Sequence, residues 1–258
     1  MKKTGKVAVA GLGEVGKPLF DLVSRHYEVV GVDISPVERV ERADILHVCY
    51  PFEIDDFPGV TARYIDLFKP ALTIVNSTVA VGTTRAIAER TGAAVVHSPI
   101  RGKHARMLDE LQAYTKFVGG IDPETGDAAA RHFQSLGLRT RVLASPEATE
   151  LAKLSETTYF GVLIAWAQEI ERYCDQSGVS YDEVVSFYNE IQYLPPVTYV
   201  PGIIGGHCVM PNIKILKQYT VSTLLDAIEA SNRMKTEREA RKRAVDSELA
   251  RGVGGGAQ

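Results

Sequence analysis

Residues 6–33 read KVAVAGLGEVGKPLFDLVSRHYEVVGVD, and this stretch decides the fold. Lys6–Ala10 is a short apolar run of strand length. It ends in Gly11-Leu12-Gly13-Glu14-Val15-Gly16. Lys17–Arg25 then places Leu19, Leu22 and Val23 on one helical face, and Glu28–Asp33 reads as a second strand. Strand, glycine turn, helix, strand is the opening of a doubly wound α/β sheet of the Rossmann type. Alone, G-x-G-x-x-G is a weak signal; between a strand and a helix it gains weight.

Each glycine has a separate task in that setting. Gly11 makes the tight turn, Gly13 lets the backbone approach a pyrophosphate, and Gly16 lets helix and strand pack closely. Glu14 and Val15 complete the turn, and the helix N-terminus holds the anion. Asp33 ends the second strand, where a carboxylate accepts hydrogen bonds from ribose hydroxyls and repels a 2′-phosphate. No arginine follows it immediately, so NAD is favoured over NADP. The alternative is a turn that holds no nucleotide.

Working outward, the alternation continues. Asp44–Tyr50, Leu72–Asn76, Ala93–His97, Lys116–Gly119 and Thr140–Leu143 read as strands, the first reached by a short connection through Pro36. Thr61–Phe68, Thr83–Arg90 and Pro123–Leu136 read as helices. Tyr50 and Pro51 close one strand and Ser77-Thr78 follow another, on the side where such sheets bind ligands. After Ser145 the pattern turns helical. Glu147–Ser177 is one long helix, opened by Ser145-Pro146 as cap and first residue and closed by Gly178. Tyr159–Ala167 within it is apolar nearly all round, which predicts burial from several sides. Lys153 lies near its start, either reaching for water or facing a site. Trp166 is most simply core or dimer contact. Tyr181–Asn189, Ile213–Tyr219 and Thr223–Arg243 are further helices, around a Pro/Gly-rich loop, Gln192–Gly206. The expected domains are residues 1–145 for NAD, 146–245 for a helical dimerisation and substrate domain, and 246–258 as a flexible tail.

Composition narrows the class. Hydrophobic residues make up 45% and charged residues 24%, with a formal net charge of -3. That balance gives no general attraction to nucleic acid or membrane. The charges of Arg233–Arg251 are of both signs, as on a solvated helix. Cys49, Cys174 and Cys208 are odd in number and lack metal-ligand spacing, which predicts neither disulfide framework nor metal site and suits a reducing cytoplasm. No apolar run approaches the roughly 18 residues of a membrane span. The N-terminal apolar run is short, broken by glycines and followed by Glu14, unlike a signal peptide.

Gly205-Gly206-His207-Cys208 lies between the Pro/Gly-rich loop and a helix. Glycines let a ligand approach the backbone, and a helix N-terminus favours the thiolate that a nucleophile requires. A buried structural thiol is the alternative, and it suits Cys49 and Cys174 better. His207 beside Cys208 is poorly directed to act as its base. The loop after His97 carries Arg101, Lys103, His104 and Arg106, which suit a carboxylate or phosphate, or else an ordinary basic surface.

The chain resembles the UDP-glucose/GDP-mannose dehydrogenases. The likeness is carried by Gly11–Gly16, Asp33, Ser77-Thr78-Val79-Ala80-Val81-Gly82-Thr83-Thr84, Ser98-Pro99, Glu150 with Lys153, and Gly205-Gly206-His207-Cys208, in the family's order. The resemblance implies oxidation of a primary alcohol of a nucleotide sugar to a carboxylate with two NAD. It implies Cys208 as the thiol that attacks the intermediate aldehyde, Lys153 as the cation beside the oxyanion, and Thr78 as a hydrogen-bonding group near the nicotinamide. It also implies a homodimer through the 147–177 helix.

Some positions depart from the family. An acid after Ser-Pro is replaced by Ile100, an asparagine one turn after the lysine by Thr157, and an aspartate four residues after the cysteine by Asn212. The family's second dinucleotide-type domain lies beyond the residues here, so the resemblance describes a member lacking it. Thr157, Asn212, Gly205, Gly206, His207, Arg101, Lys103 and His104 are the candidate substrate-side residues. Two other readings stand beside the sugar-oxidising dehydrogenase. One is a two-electron hydroxyacid-type dehydrogenase that needs no cysteine. The other is a non-catalytic NAD-binding subunit.

Overall fold

The computed structural model describes residues 4–33, 42–102, 106–192, 199–205, 208–219 and 221–253. Among them, seven strands form one sheet in the order β2-β1-β3-β4-β5-β6-β7. β1 (Lys6–Ala10), β2 (Glu28–Val32), β3 (Ile45–Val48), β4 (Leu72–Val75) and β5 (Val95–His97) are parallel. β6 (Lys116–Gly120) runs antiparallel to β5, and β7 (Thr140–Leu143) runs parallel to β6. β1 pairs with β2 on one side and β3 on the other, so the strand order reverses beside it. A crevice at the C-terminal ends of such strands is where doubly wound sheets bind ligands.

Alternation along the strands sends side chains to two covered faces. Val7, Val9, Ile74, Val96 and Val118 pack with Leu19 and Leu22 of α1 (Gly16–Ser24), Met107 and Leu111 of α4 (Met107–Ala113), and Phe133 of α5 (Pro123–Ser135). Ala8, Ala10, Leu46, Val48 and Val95 face the other way, onto Phe57 and Phe68 of α2 (Phe57–Phe68) and Ile87 of α3 (Thr83–Thr91). Burial on both sides is why these strands read as continuous apolar runs.

Some element bounds differ from the sequence reading. α2 begins four residues before Thr61, because the Asp56 side chain accepts the Gly59 N–H at 3.0 Å and Pro58 fits the first turn. α4 was hidden behind a polar loop, since seven residues are too few for a clear helical period. α8 (Val209–Tyr219) starts before Ile213, and α9 (Thr223–Val253) continues past Arg243. The connection through Pro36, the prolines at 195 and 196, and residues 254–258 lie outside the described residues.

α6 (Pro146–Ser177) runs for 32 residues, and its Ala148 N–H donates to the Ser145 hydroxyl at 3.3 Å. The chain divides into two compact units, Met1–Leu154 and Ser155–Gln258, the division falling within α6. In the second unit Ile204, Val209, Ile213, Leu225 and Ile228 form a core with Val162, Ile164 and Ala165 of α6. α7 (Tyr181–Ser186) and a following 3₁₀ turn add a smaller cluster of Ile170, Cys174 and Val185. Burial of Tyr159–Ala167 from several sides is not met within one chain: Tyr159, Phe160 and Trp166 are 54%, 46% and 52% exposed. No helix among the described residues is long and apolar enough to cross a membrane.

Two buried charged groups in the first unit hold backbone that secondary structure leaves unpaired. Glu150 is fully buried, and its carboxylate accepts the Gly82 N–H (2.7 Å), the Thr84 N–H (2.9 Å) and the Thr84 hydroxyl (2.7 Å). α3 has no side-chain cap of its own, so Glu150 supplies the cap from α6. Burial raises the Glu150 pKa. Lys116 is 4% exposed; its ammonium donates to the Ser98 and Pro99 carbonyls at 2.6 and 2.9 Å and lies 5.0 Å from the Phe133 ring centroid. Burial pushes Lys116 down to about 7.

Each group makes a prediction. Glu150→Ala should lower unfolding free energy by about 2–4 kcal/mol in urea, since two buried donors and one part-buried donor lose their acceptor. Glu147→Ala, which breaks the partly exposed pair with Arg85 and the local bonds of Glu147 at the helix start, should cost less than Glu150→Ala. For Lys116 the folded pKa lies below that of a free lysine, so between about pH 7 and 10.5 the unfolded chain binds more protons. Stability from this residue therefore rises with pH across that window. Relative to Lys116→Met, the wild type should gain about 3 kcal/mol between pH 7 and pH 9.5. Parallel stability curves would disprove the shift.

Candidate active site

The glycine turn separates what packing demands from what it leaves open. Gly11 has φ +88°, and a Cβ there would lie 2.6 Å from the Tyr50 nitrogen, so turn and neighbour both require glycine. A Cβ on Gly16 would lie 1.7 Å from the Gly11 oxygen. Gly13 has neither constraint: a Cβ there would meet nothing within 4 Å, and its φ is not positive. A glycine that the protein itself does not need fits close approach of a ligand backbone, as a pyrophosphate requires. α1 starts with no side-chain cap; the Lys17 N–H donates to the Gly13 carbonyl at 2.9 Å and Pro18 carries none, so an anion at this end would draw on the Gly16 N–H and the turn before it. Glu14 is exposed and Val15 half-buried, and Asp33 stands exposed directly after β2.

At the ends of β3, β4 and β5 the predicted residues are tied together. The Ser77 hydroxyl donates to the Tyr50 carbonyl at 2.6 Å, and the Tyr50 hydroxyl bonds Thr61 at 2.6 Å. Pro51 is exposed and Thr78 half-buried. His97, the last residue of β5, is fully buried. Its Nε2 lies 3.1 Å from the Ser77 carbonyl and its Nδ1 2.8 Å from the Thr149 hydroxyl on α6. The carbonyl only accepts, so Nε2 carries the proton and Nδ1 accepts. Burial pushes His97 down to about 3, which keeps the ring neutral.

Lys153 is half-buried, one turn past Thr149. Arg101 lies over the rings of Tyr114 and Phe117, 5.6 and 5.5 Å from their centroids. Lys103 and His104 lie outside the described residues. Ile100 packs in the core with Met107 and Leu111 and is 5% exposed.

In the second unit Cys208 is exposed, whereas Cys49 and Cys174 are buried, as the sequence reading expected of those two. Burial raises the Cys49 thiol to about 12. Cys208 stands immediately before α8, its carbonyl accepting the Asn212 N–H at 3.3 Å. Gly205 is exposed, and a Cβ there would also meet nothing within 4 Å. Gly206 and His207 lie outside the described residues. Asn212 is 4% exposed, and its side-chain amide donates to the Thr157 hydroxyl at 2.6 Å. The two substituted positions are therefore one hydrogen-bonded pair.

Sequence reasoning missed His97 and Thr149 as positioning groups. The available signal was a histidine ending an apolar strand just before Ser-Pro; its partner, 52 positions away, left no local trace. Among the described residues no group of three or more His, Cys, Asp or Glu is placed to hold a metal ion.

Comparison with known proteins bears on the same segments. The UDP-glucose/GDP-mannose dehydrogenase family, central domain, matches residues 147–234. A UDP-N-acetyl-D-mannosamine dehydrogenase of Methanococcus vannielii is 25% identical over 259 residues, covering 81% of this chain and 60% of that protein. The chain thus spans about three fifths of the length of that curated relative. The solved UDP-D-ManNAc dehydrogenase of Pyrococcus horikoshii superposes with a TM-score of 0.79 at 21% identity, over 96% of this chain and 72% of that one. A 3-hydroxyisobutyrate dehydrogenase of Mycobacterium tuberculosis shares the fold at a TM-score of 0.67 and 17% identity, over 92% of this chain and 94% of that one. By these matches the chain is similar to the UDP-glucose/GDP-mannose dehydrogenases, and residues 147–234 are the part that matches the family's central domain.

Proposed function

We propose that this chain carries an NAD-dependent dehydrogenase activity that oxidises a primary alcohol of a sugar bearing an anionic or nucleotide group. The observation that carries the reading is the contrast among its thiols. Cys208 alone of the three is exposed, directly before a helix and three residues from a glycine with open space beside it. The relatives' names point to nucleotide-linked N-acetylhexosamines as the substrate class.

Gly11, Gly13 and Gly16 with the start of α1 would hold the pyrophosphate, and Asp33 the adenosine ribose. Bound NAD supplies the hydride acceptor. The Cys208 thiolate adds to the aldehyde carbon of the half-oxidised substrate; transfer of a second hydride to a second NAD, taken up after the first leaves as NADH, would give a thioester, which water cleaves to carboxylate and thiol. The Lys153 ammonium offsets the charge on the substrate oxygen, and the Thr78 hydroxyl donates a hydrogen bond beside the nicotinamide. His97 holds the Ser77 carbonyl and so orients the segment that carries Thr78. Arg101, braced on two rings, offers a guanidinium to an anionic substituent. A dimer through α6 accords with its exposed Tyr159, Phe160 and Trp166.

A second reading has support of its own. Thr157 and Asn212 form an uncharged pair where the family places an asparagine and an aspartate, and neither side chain can serve as a base for water. That leaves the hydrolytic step without a base and favours a reaction that never needs it, a two-electron oxidation without a covalent intermediate.

Three measurements separate these outcomes. Gly13→Ala should keep the wild-type melting temperature yet weaken NAD binding at least tenfold by calorimetry, whereas Gly16→Ala should fail to fold stably. Cys208→Ser should abolish formation of a second NADH per substrate; undiminished turnover would sink the covalent route. Arg101→Ala should raise substrate KM at least tenfold, and an unchanged KM would remove Arg101 from the substrate site.

A further inference from the structure

The loop that leads to Cys208 is held by side chains from helices around it and scarcely by itself. Tyr199 to Gly205 contains no strand or helix. Its backbone groups are nonetheless taken one after another. The Tyr181 hydroxyl of α7 donates to the Tyr199 carbonyl at 2.5 Å. Gln168 of α6 donates its amide to the Gly202 carbonyl at 2.7 Å. Asn232 of α9 accepts the Ile204 N–H at 2.7 Å and donates to the Ile204 carbonyl at 2.9 Å. A side-chain amide that matches both backbone groups of one residue fixes that residue's position and its orientation.

The two amides are themselves oriented. Gln168 is fully buried, and its oxygen accepts the Ser231 hydroxyl at 2.8 Å, so its nitrogen must be the end that faces Gly202. The Arg172 guanidinium lies 3.2 Å from the Ser231 oxygen and donates to it. Ile204 adds an apolar anchor, 3% exposed, in the core that also holds Val209 at the start of α8. Ile204 and Val209 thus pin both sides of the stretch that carries Cys208. Between the anchors Gly205 is exposed, with open space where a side chain would lie.

We infer that Gln168 and Asn232 form a positioning clamp, which sets the backbone of Gly202–Gly205 so that Gly205 and Cys208 meet the substrate. Neither amide touches the reacting atoms; they act through the loop. The clamp rests on the reading of Cys208 as the nucleophile, and the test below keeps the two apart. It uses the full chain and the rate of alkylation of Cys208 by iodoacetamide, followed on the labelled peptide across pH 6 to 9, well below the melting temperature. Asn232→Ala and Gln168→Ala should each move that rate at least fivefold. Asn232→Asp, which keeps the acceptor for the Ile204 N–H, should fall between Asn232→Ala and the wild type. Lys235→Met breaks the neighbouring pair with Glu171 and no bond to the loop, so it should lower the melting temperature and leave the alkylation rate within twofold. Gln168→Ala removes the Gly202 contact and a longer bond, 3.4 Å, to the Asn232 side-chain oxygen, and serves if Asn232→Ala does not fold. Alkylation within twofold of wild type in both alanine variants, or an equal change in Lys235→Met, overturns the clamp. If the variants shift alkylation but Cys208→Ser still yields two NADH per substrate, the clamp stands and the nucleophile reading falls.

Discussion

A single buried carboxylate fixes how the long helix begins. Glu150 takes the donors at the N-terminus of α3, and a helix start buried without partners would be costly. Because α3 has no cap of its own, the bond is mutual: α6 is anchored, and α3 is completed. One position earlier, Thr149 reaches His97 at the end of β5. Together the two contacts set both the depth and the rotation of the first two turns of α6. Lys153 lies one turn further on.

The same economy recurs in the second unit, where side chains complete backbone that no ladder satisfies. Asn232 and Gln168 do for the 199–205 loop what Glu150 does for α3. Buried backbone must be paired, and an irregular loop has few partners of its own. Side chains from the surrounding helices supply those partners. Catalytic groups on loops need that support, since small displacements of a reacting atom are costly in rate.

The departures from the family fall into two physical kinds. Ile100 is absorbed by the hydrophobic core and is 5% exposed, so the position has left the polar chemistry altogether. Thr157 and Asn212 remain polar and bond one another at 2.6 Å, so the contact persists while its charge is gone. A neutral pair donates and accepts hydrogen bonds but does not hold a proton equilibrium near neutral pH. Two of the three altered positions thus keep a polar contact without a charge, and the third becomes part of the core.

The strands, the glycine turn and most helices were legible because each is a local pattern: period 2 or 3.6, glycine at a turn, proline at a helix start. Gly11 and Gly16 could be read as necessary from the motif, and the cysteine before α8 from its glycines. α4 was not legible, being too short to show a period, nor was the true start of α2, which hangs on the Asp56 cap. The sequence by itself determined the doubly wound sheet, the long helix and the order of motifs, because backbone sterics and side-chain periodicity act over a few residues. Only the tertiary structure decided that Glu150 is a cap, that His97 is a neutral strut, that Thr157 pairs with Asn212, and that Asn232 grips the loop before Cys208. Those partners are 20 to 68 positions apart, and only folding brings such residues within hydrogen-bonding distance.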